Sequence, residues 1–173
     1  DGTHSDKRSD LITYQSYNEF SRGINSIPSS DANYTDNYKH IRRTNLLLQN
    51  AEAYAKPEDI KQYIGEAYFF RAYSYFDLLQ LYGDVIITKK PLDITDPEMK
   101  VKRNDRSEVV DLIIDDLNHA VENLPAFKEL TTEEEGRISK EGAQAFLSRV
   151  ALYEGTWQKS RNGNQNTQRS ANL

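Results

Sequence analysis

The polar and aromatic residues at positions 29–37, SSDANYTDN, could bind a carbohydrate. An aromatic ring such as that of Tyr34 can stack on the apolar face of a sugar, while Asn33 and Asn37 can hydrogen-bond to hydroxyl groups. The same residues also suit the start of a helix, because Asn and Asp are favoured N-caps and Tyr34 could act as a hydrophobic staple. The residues alone leave both interpretations open.

Patterns typical of catalysis or metal binding are missing from the sequence. The histidines, His4, His40 and His119, form neither H-E-x-x-H nor an i, i+4 pair, and the chain has no cysteine. Neither a zinc site nor a thiolate nucleophile is therefore predicted. Asp115 and Asp116 are adjacent, about 100° apart on a helix, so we interpret them as an exposed face and not as a glycosidase pair. We predict no enzyme activity, no metal and no cofactor.

Arg71 is a charged residue inside the most apolar stretch of the chain, residues 65–87. It could hold a buried anion. Alternatively, its guanidinium pairs with a carboxylate or with carbonyls at a helix end, and its aliphatic stem packs as hydrocarbon. Both interpretations require the residues around it to form a buried helix.

The composition describes about one domain and argues against a nucleic-acid partner. The chain has 173 residues, a net charge of −5 and a pI of about 5.3. Basic residues cluster only at positions 39–43 and 100–106, and we interpret both groups as solvated helix ends and loops. The sequence contains no run of 18 apolar residues, the length needed to span a bilayer. Its polar start without Met suggests a processed or trimmed product.

Apolar periodicity predicts an all-α fold with helices near residues 34–55, 57–82, 106–124 and 140–157. The second helix is apolar on nearly every side, which predicts a central helix buried all round and ended by Gly83 as a left-handed cap. We predict that five residues are buried together in the hydrophobic core: Phe70, Phe76, Leu79, Phe146 and Val150.

Local signals agree with these helices. Pro57 suits a first helical position, Asp105-x-x-Glu108 fits a capping box, and Ser139 suits the N-cap of the last helix. A short helix is also predicted within residues 11–20. Residues 158–173 lack apolar periodicity, so we interpret them as a polar tail, disordered or truncated, that follows a domain at residues 1–157.

The helices are predicted to pair as two hairpins, the first with the second and the third with the fourth. Ala67-x-x-Phe70 and Ala143-x-x-Phe146 occupy matching places in the second helix of each pair. Stacked antiparallel pairs of this kind form tetratricopeptide-like units. The long polar connection at residues 88–104 would be an insertion between them.

Five stretches, in order, resemble the motifs of the SusD/RagB family of outer-membrane lipoproteins of Bacteroidetes. They cover about residues 37–157 and include Y-x-x-I-x-x-x-N at residues 38–45 and G-E-A-x-F-x-R-A at residues 65–72. The others resemble the family's x-Y/F-G-x-V-P-L turn and its stretches that begin R-S and G-R. Their positions are residues 81–92, 106–125 and 136–153.

The resemblance implies a right-handed superhelix of tetratricopeptide-like helix pairs with long irregular loops. It also implies a surface glycan-binding lipoprotein that captures an oligosaccharide, a polysaccharide or another nutrient and delivers it to a SusC-like TonB-dependent transporter. Contact with the outer membrane would be made only by a lipid anchor upstream of this chain. Under this resemblance we expect the sugar to contact Arg8, Asn33, Tyr34 and Asn37.

Three features differ from the family pattern, and one is length: full members are much longer, so the resemblance implies that this chain is their N-terminal helical portion. The lipidated N-terminal Cys is missing, and many members have Trp before the first motif, where this chain has Asn33 and Tyr34. Two other classes of protein stay open as alternatives. One is a tetratricopeptide-type adaptor that binds a peptide in its groove, and the other is an all-helical glycoside hydrolase.

Overall fold

The computed structural model describes residue 26, residues 28–93 and residues 95–162. The chain divides into two compact units, Asp1–Asp31 and Ala32–Leu173. The described residues of the first unit are irregular. Arg8 and the short helix predicted within residues 11–20 lie outside the described residues.

The second unit is built from α-helices, which confirms the predicted all-α class. Its described residues contain no strand, only an isolated antiparallel bridge between Val85 and Asn104. Short 3-10 turns lie in the connections, for example at Pro57–Ile60 and Pro97–Lys100. The four α-helices are α1 Ala32–Glu52, α2 Lys61–Tyr82, α3 Arg106–Asn123 and α4 Lys140–Asn162.

The helix boundaries lie within three residues of the predicted ones except at two places. Pro57 begins a 3-10 turn, and the α-helix proper starts only at Lys61. At the other end of the unit, α4 continues to Asn162, past the predicted end at residue 157. One reason is that the Gln158 amide donates to the Glu154 carboxylate at 2.8 Å, so a polar pair stabilises a turn that lacks apolar periodicity. The start of the predicted tail is therefore helical, and residues 163–173 lie outside the described part.

The core forms where each helix packs against the next one along the chain, as in tetratricopeptide-like helix pairs. α2 lies between α1 and α3, and α4 packs on α3. Side chains from all four helices meet in one cluster. Its fully buried members include Ile41 from α1, Tyr75 and Leu78 from α2, Ile113 and Leu117 from α3, and Val150 from α4.

The prediction that α2 is buried all round is wrong. Phe76, Leu79, Phe146 and Val150 are buried, but Phe70 is 50% exposed and Tyr73 is similarly open. The Phe70 ring packs edge-on against Phe69, and Tyr73 stacks on Phe146, with centroids 5.4 Å apart in both pairs. Aromatic residues thus continue onto the outer face of α2, where they cover inner rings and remain partly in solvent.

Two glycines shape the ends of α2. Gly83 has φ 71° as predicted, but its ψ of −109° lies outside the left-handed helical region, and its N–H donates to the Leu79 carbonyl at 3.1 Å. At the start of α2, a Cβ on Gly65 would lie 2.9 Å from Leu124 Cγ and 3.0 Å from the Leu124 backbone nitrogen. Gly65 therefore permits the close approach of α2 to the end of α3.

Candidate functional site

The first turns of α1 carry three of the four predicted sugar-binding residues. Asn33 and Tyr34 lie in the first turn of α1, in agreement with the helix predicted to start near residue 34. The Tyr34 ring is half-buried, 4.8 Å from the Tyr38 ring and 5.2 Å edge-on from Tyr82. Tyr34 thus packs against two other rings, but it lies inside α1 and not ahead of the helix as a staple residue does.

Asn33 and Asn37 differ in accessibility. Asn33 is exposed, whereas Asn37 is only 9% exposed. The Asn37 amide nitrogen donates to the Asn33 carbonyl at 2.9 Å and to the Asp77 carboxylate at 2.6 Å. Because these bonds use both of its amide hydrogens, Asn37 connects α1 to α2 and supports the backbone of Asn33. The fourth predicted residue, Arg8, lies outside the described residues.

Further along α1, one face of the helix holds residues 86–92 of the α2–α3 connection, called here the anchored segment. The Tyr38 hydroxyl donates to the first carbonyl of the segment at 2.7 Å. The Asn45 amide donates to the third and fifth carbonyls at 2.8 and 3.3 Å, and Arg42 donates to the last at 3.5 Å. Every second carbonyl of the segment therefore faces donors spaced i, i+4 and i+7 on α1.

Groups outside α1 also hold the anchored segment. The Thr88 N–H donates to the Tyr75 hydroxyl of α2 at 2.8 Å, and the Ile87 N–H donates to the Asn104 side chain at 2.9 Å. Burial raises the pKa of both Tyr38 and Tyr75, so these phenols stay neutral and keep their hydrogen-bonding proton. An irregular segment is thus fixed by side chains from two helices and from its own connection.

A buried ion pair lies beneath this arrangement. The Arg71 guanidinium donates to both Asp116 oxygens, at 2.8 and 2.6 Å, and its third contact is to Asn45 Oδ1 at 2.8 Å. The side chains of Arg71 and Asp116 are only 7% and 1% exposed. Because Asn45 Oδ1 accepts from Arg71, its amide nitrogen must point at the anchored segment. The buried pair therefore orients the residue that holds the surface segment.

The prediction that Asp116 lies on an exposed face is wrong, whereas the prediction that Arg71 could pair with a carboxylate is confirmed. Asp116 was expected on an exposed face but is fully buried, and only its neighbour Asp115 is exposed. Burial raises the pKa of the Asp116 carboxyl, and the adjacent Arg71 opposes that rise. For Arg71, burial alone would lower the pKa, but the hydrogen bonds and charge of Asp116 outweigh it and the pKa rises. Arg71 is thus a structural pairing residue.

A second feature is a cleft of about 470 Å³ between the start of α3 and the end of α4. At its base, Arg106 donates to Glu154 at 2.9 Å, and its guanidinium lies 4.0 Å above the Trp157 ring. The Arg106 N–H donates to Asp84 at 2.9 Å. This mixture of ring, carboxylate and amide groups suits a hydroxylated ligand. The cleft is lined by Asp84, Asp105, Arg106, Ser107, Glu154, Trp157 and Gln158.

Sequence reasoning missed these polar partners, although a signal for them was present. Several of the paired residues belong to the five stretches that carry the family resemblance, and they contact one another across the fold. Arg137 and Glu66, for instance, form two hydrogen bonds of 2.7 Å. The presence of charged residues inside otherwise apolar motifs was therefore a sequence signal that these residues pair with one another in the fold. The other such pairs are Arg71 with Asp116 and Arg106 with Glu154.

No metal site is found among the described residues. His119 lies 3.8 Å from Asp115 and 3.7 Å from Glu122 on the surface of α3, and its ring stacks on Tyr68. Within the same part of the chain, no helix has the length and apolar character needed to cross a membrane.

Comparison with known proteins identifies the family. The model of the SusD-like_3 family, described as "Starch-binding associating with outer membrane", matches residues 2–152. The chain belongs to the SusD-like family. It is 33% identical over 133 residues to SusD-like protein P38 of Formosa agariphila, a match that covers 75% of this chain and 25% of that protein. A SusD-like protein of Bacteroides ovatus is 32% identical over 94 residues, 54% of this chain and 16% of the relative.

Solved structures show the same relationship. The fold matches a SusD-like protein of Bacteroides fragilis with a TM-score of 0.73 and 28% identity, covering 90% of this chain and 29% of that one. It matches a laminarin-binding SusD-like protein with a TM-score of 0.70 and 29% identity, covering 87% and 34%. The SusD-like chain thus spans about a quarter of the length of the first relative and about a third of the matched structures.

Proposed function

We propose that this SusD-like chain is the helical part of a surface protein that binds an oligosaccharide and delivers it to a SusC-like TonB-dependent transporter. The observation that carries the proposal is the family match over residues 2–152, to a family described as starch-binding and associated with the outer membrane. The similarity to a laminarin-binding SusD-like protein supports it. The outer-membrane location and an upstream lipid anchor follow from the family resemblance and are part of the proposal.

The geometry supports binding because the surface beside the anchored segment is held rigidly. The segment has hydrogen bonds to α1, to α2 and to Asn104. A surface ordered before the ligand arrives loses less conformational entropy on binding. We assign sugar contact to the exposed Asn33, to the accessible side of Tyr34 and to Arg8. Asn37 acts by supporting Asn33.

We propose binding without catalysis. Within the described residues, the buried carboxylates Asp116 and Glu154 are each paired with an arginine. Because the oxygens of these carboxylates already accept hydrogen bonds from a guanidinium inside the fold, neither is placed to act on a glycosidic bond. Incubation with a panel of polysaccharides should produce no new reducing ends. Hydrolysis that disappears in a folded Asp115→Ala, Asp116→Ala or Glu133→Ala protein would contradict this.

The decisive test is titration of the full-length protein with its cognate oligosaccharide, comparing Tyr34→Ala with the parent. A lost stacking contact should weaken binding by about three- to tenfold. Tyr54→Ala is a matched control, because Tyr54 is exposed beyond the opposite end of α1. Unchanged affinity in a folded Tyr34→Ala protein would return Tyr34 to a packing role and place the sugar elsewhere.

The adaptor alternative is weakened by the anchored segment. A tetratricopeptide-type adaptor needs free side chains in its groove to hold a peptide backbone. Here Tyr38, Arg42 and Asn45 already bind the backbone of the chain itself. Tyr38 and Asn45 therefore have no spare side-chain donor for a foreign peptide, whereas Arg42 uses only its Nε–H on the segment.

A further inference from the structure

Two groups of basic residues that are far apart in the sequence are brought together by the fold. One group is on α1 and the other is in the connection between α2 and α3. Their side chains are exposed. Together they form what we call the basic surface: Lys39, Arg42, Arg43, Lys89, Lys102 and Arg103.

The anchored segment brings these residues together. On one edge of the segment, Asn45 of α1 binds the carbonyls of Thr88 and Lys90, which flank Lys89. On the other edge, Asn104 donates from its N–H to the Val85 carbonyl and accepts from the Ile87 N–H, both at 2.9 Å. The residues just before Asn104 therefore lie beside the segment opposite α1. The basic side chains project from three adjacent pieces of fixed backbone.

The local charge is opposite in sign to that of the chain. Residues 36–45 and 85–104 together contain eight Lys or Arg and four Asp or Glu, a net charge of +4. The whole chain carries −5. Of the nearby acids, Asp36 is paired with Lys39 at 2.7 Å, and Asp96 accepts from the Asp93 N–H. Several cations of the basic surface have no such carboxylate neighbour among the described ion pairs, including Arg43, Lys89 and Arg103.

We propose that the basic surface binds an anionic glycan, so that the substrate of this protein carries sulfate or carboxylate groups. This inference rests on the proposed function and narrows it. A neutral glycan would gain little from exposed cations. Sulfate and carboxylate groups accept charge-assisted hydrogen bonds from Arg and Lys, and Arg can bind them with two parallel bonds. The fixed backbone keeps the cations at constant spacing and so favours a polymer with repeated charges.

The test compares binding of dextran sulfate with binding of dextran, which has the same backbone without charge. Affinity electrophoresis with the full-length protein should show retardation by dextran sulfate and none or much less by dextran. Raising the salt concentration from about 0.05 M to about 0.5 M should remove most of the retardation, because exposed charges are then screened. Equal retardation by both polymers would overturn the inference and leave the proposed function standing.

The variant for this test is the triple substitution Arg43→Gln, Lys89→Gln and Arg103→Gln. It avoids Arg42, which donates to the anchored segment. The expected result is roughly tenfold weaker binding of dextran sulfate, as three exposed charge contacts would give. The matched control, Lys128→Gln, Arg149→Gln and Lys159→Gln, removes the same charge from exposed positions outside the basic surface. Equal losses in both triple variants would overturn the inference.

The basic surface could also bind the anionic headgroups of a lipid membrane. Co-sedimentation of the protein with phosphatidylglycerol vesicles, compared with phosphatidylcholine vesicles, measures binding to such a surface. Binding to the anionic vesicles that depends on the basic surface, without binding to dextran sulfate, would overturn the glycan assignment. If no polysaccharide of any charge binds, the proposed function itself fails and this inference fails with it.

Discussion

The two sides of α2 are stabilised in different ways. On one side, Arg71 connects Asp116 of α3 to Asn45 of α1 and, through Asn45, to the anchored segment. On the other side, Phe70 and Tyr73 touch neighbouring rings and stay half-exposed. The first side fixes positions through directed hydrogen bonds. The second adds apolar contact with little control of geometry.

This difference teaches which side can serve recognition. A hydrogen bond depends on distance and angle, so a chain of them transmits position from the core to the surface. Ring contacts tolerate several arrangements. The side with the buried ion pair therefore carries the ordered surface on which sugar binding is proposed. The aromatic side can vary more without loss of that surface.

Asp116→Ala should have the largest effect, because it leaves the Arg71 charge buried without its carboxylate. We expect a loss of about 3–5 kcal/mol in the free energy of unfolding, measured by urea denaturation. The double substitution Arg71→Met with Asp116→Leu should recover much of this loss, since no unpaired charge remains. A loss below about 1 kcal/mol in Asp116→Ala would show that the pair does not hold the two helices.

Phe76→Ala and Phe70→Ala compare a buried ring with a half-exposed one on the same helix. Phe76 is 5% exposed and packs edge-on against Phe146 and Tyr153. Its removal should cost about 3–5 kcal/mol, whereas removal of Phe70 should cost about 1 kcal/mol or less. Thermal or urea unfolding measures both. Equal losses would mean that the outer face of α2 is as well packed as the inner one.

Gly65→Ala tests the close approach of α2 to the end of α3. The new methyl group would meet Leu124 at both its side chain and its backbone nitrogen, so we expect a loss of about 1–3 kcal/mol in unfolding free energy. Gly142→Ala is the matched control, because its nearest contact is the flexible end of the Ile138 side chain. If Gly65→Ala is as stable as Gly142→Ala, the two helices can separate at no cost.

The helices could be predicted from the sequence because burial of apolar residues imposes a period that the sequence records. Phe70 shows the limit of that argument, since an apolar residue on an apolar helix can still face solvent. Asp116 shows a second limit. Adjacent residues on a helix point about 100° apart. This rotation was the reason for rejecting Asp115 and Asp116 as a catalytic pair, but it also allows one of the two to be buried while the other is exposed. The helical period did indicate which one, because Asp116 is spaced i+3 from Ile113 and i+7 from Val109 on the apolar stripe.

The polar contacts of the site were less predictable than the helices. Asn45 binds residues more than forty positions away, and no local pattern encodes such a contact. Likewise, the cleft beside Trp157 requires α3 and α4 to be packed together before its residues meet. Asn33, Tyr34 and Asn37 are neighbours in the sequence, but their different burial depends on the contacts with Tyr82 and Asp77.

The central claim is that the buried ion pair, acting through Asn45, holds the anchored segment in place. Hydrogen exchange of residues 86–92 in Asn45→Ala, compared with Phe70→Ala, tests it most directly. Asn45→Ala removes two hydrogen bonds to the segment, so exchange of its amides should accelerate by about tenfold, while α4 is unaffected. Phe70→Ala should leave the segment unchanged. Unaltered exchange of residues 86–92 in a folded Asn45→Ala protein would contradict the account.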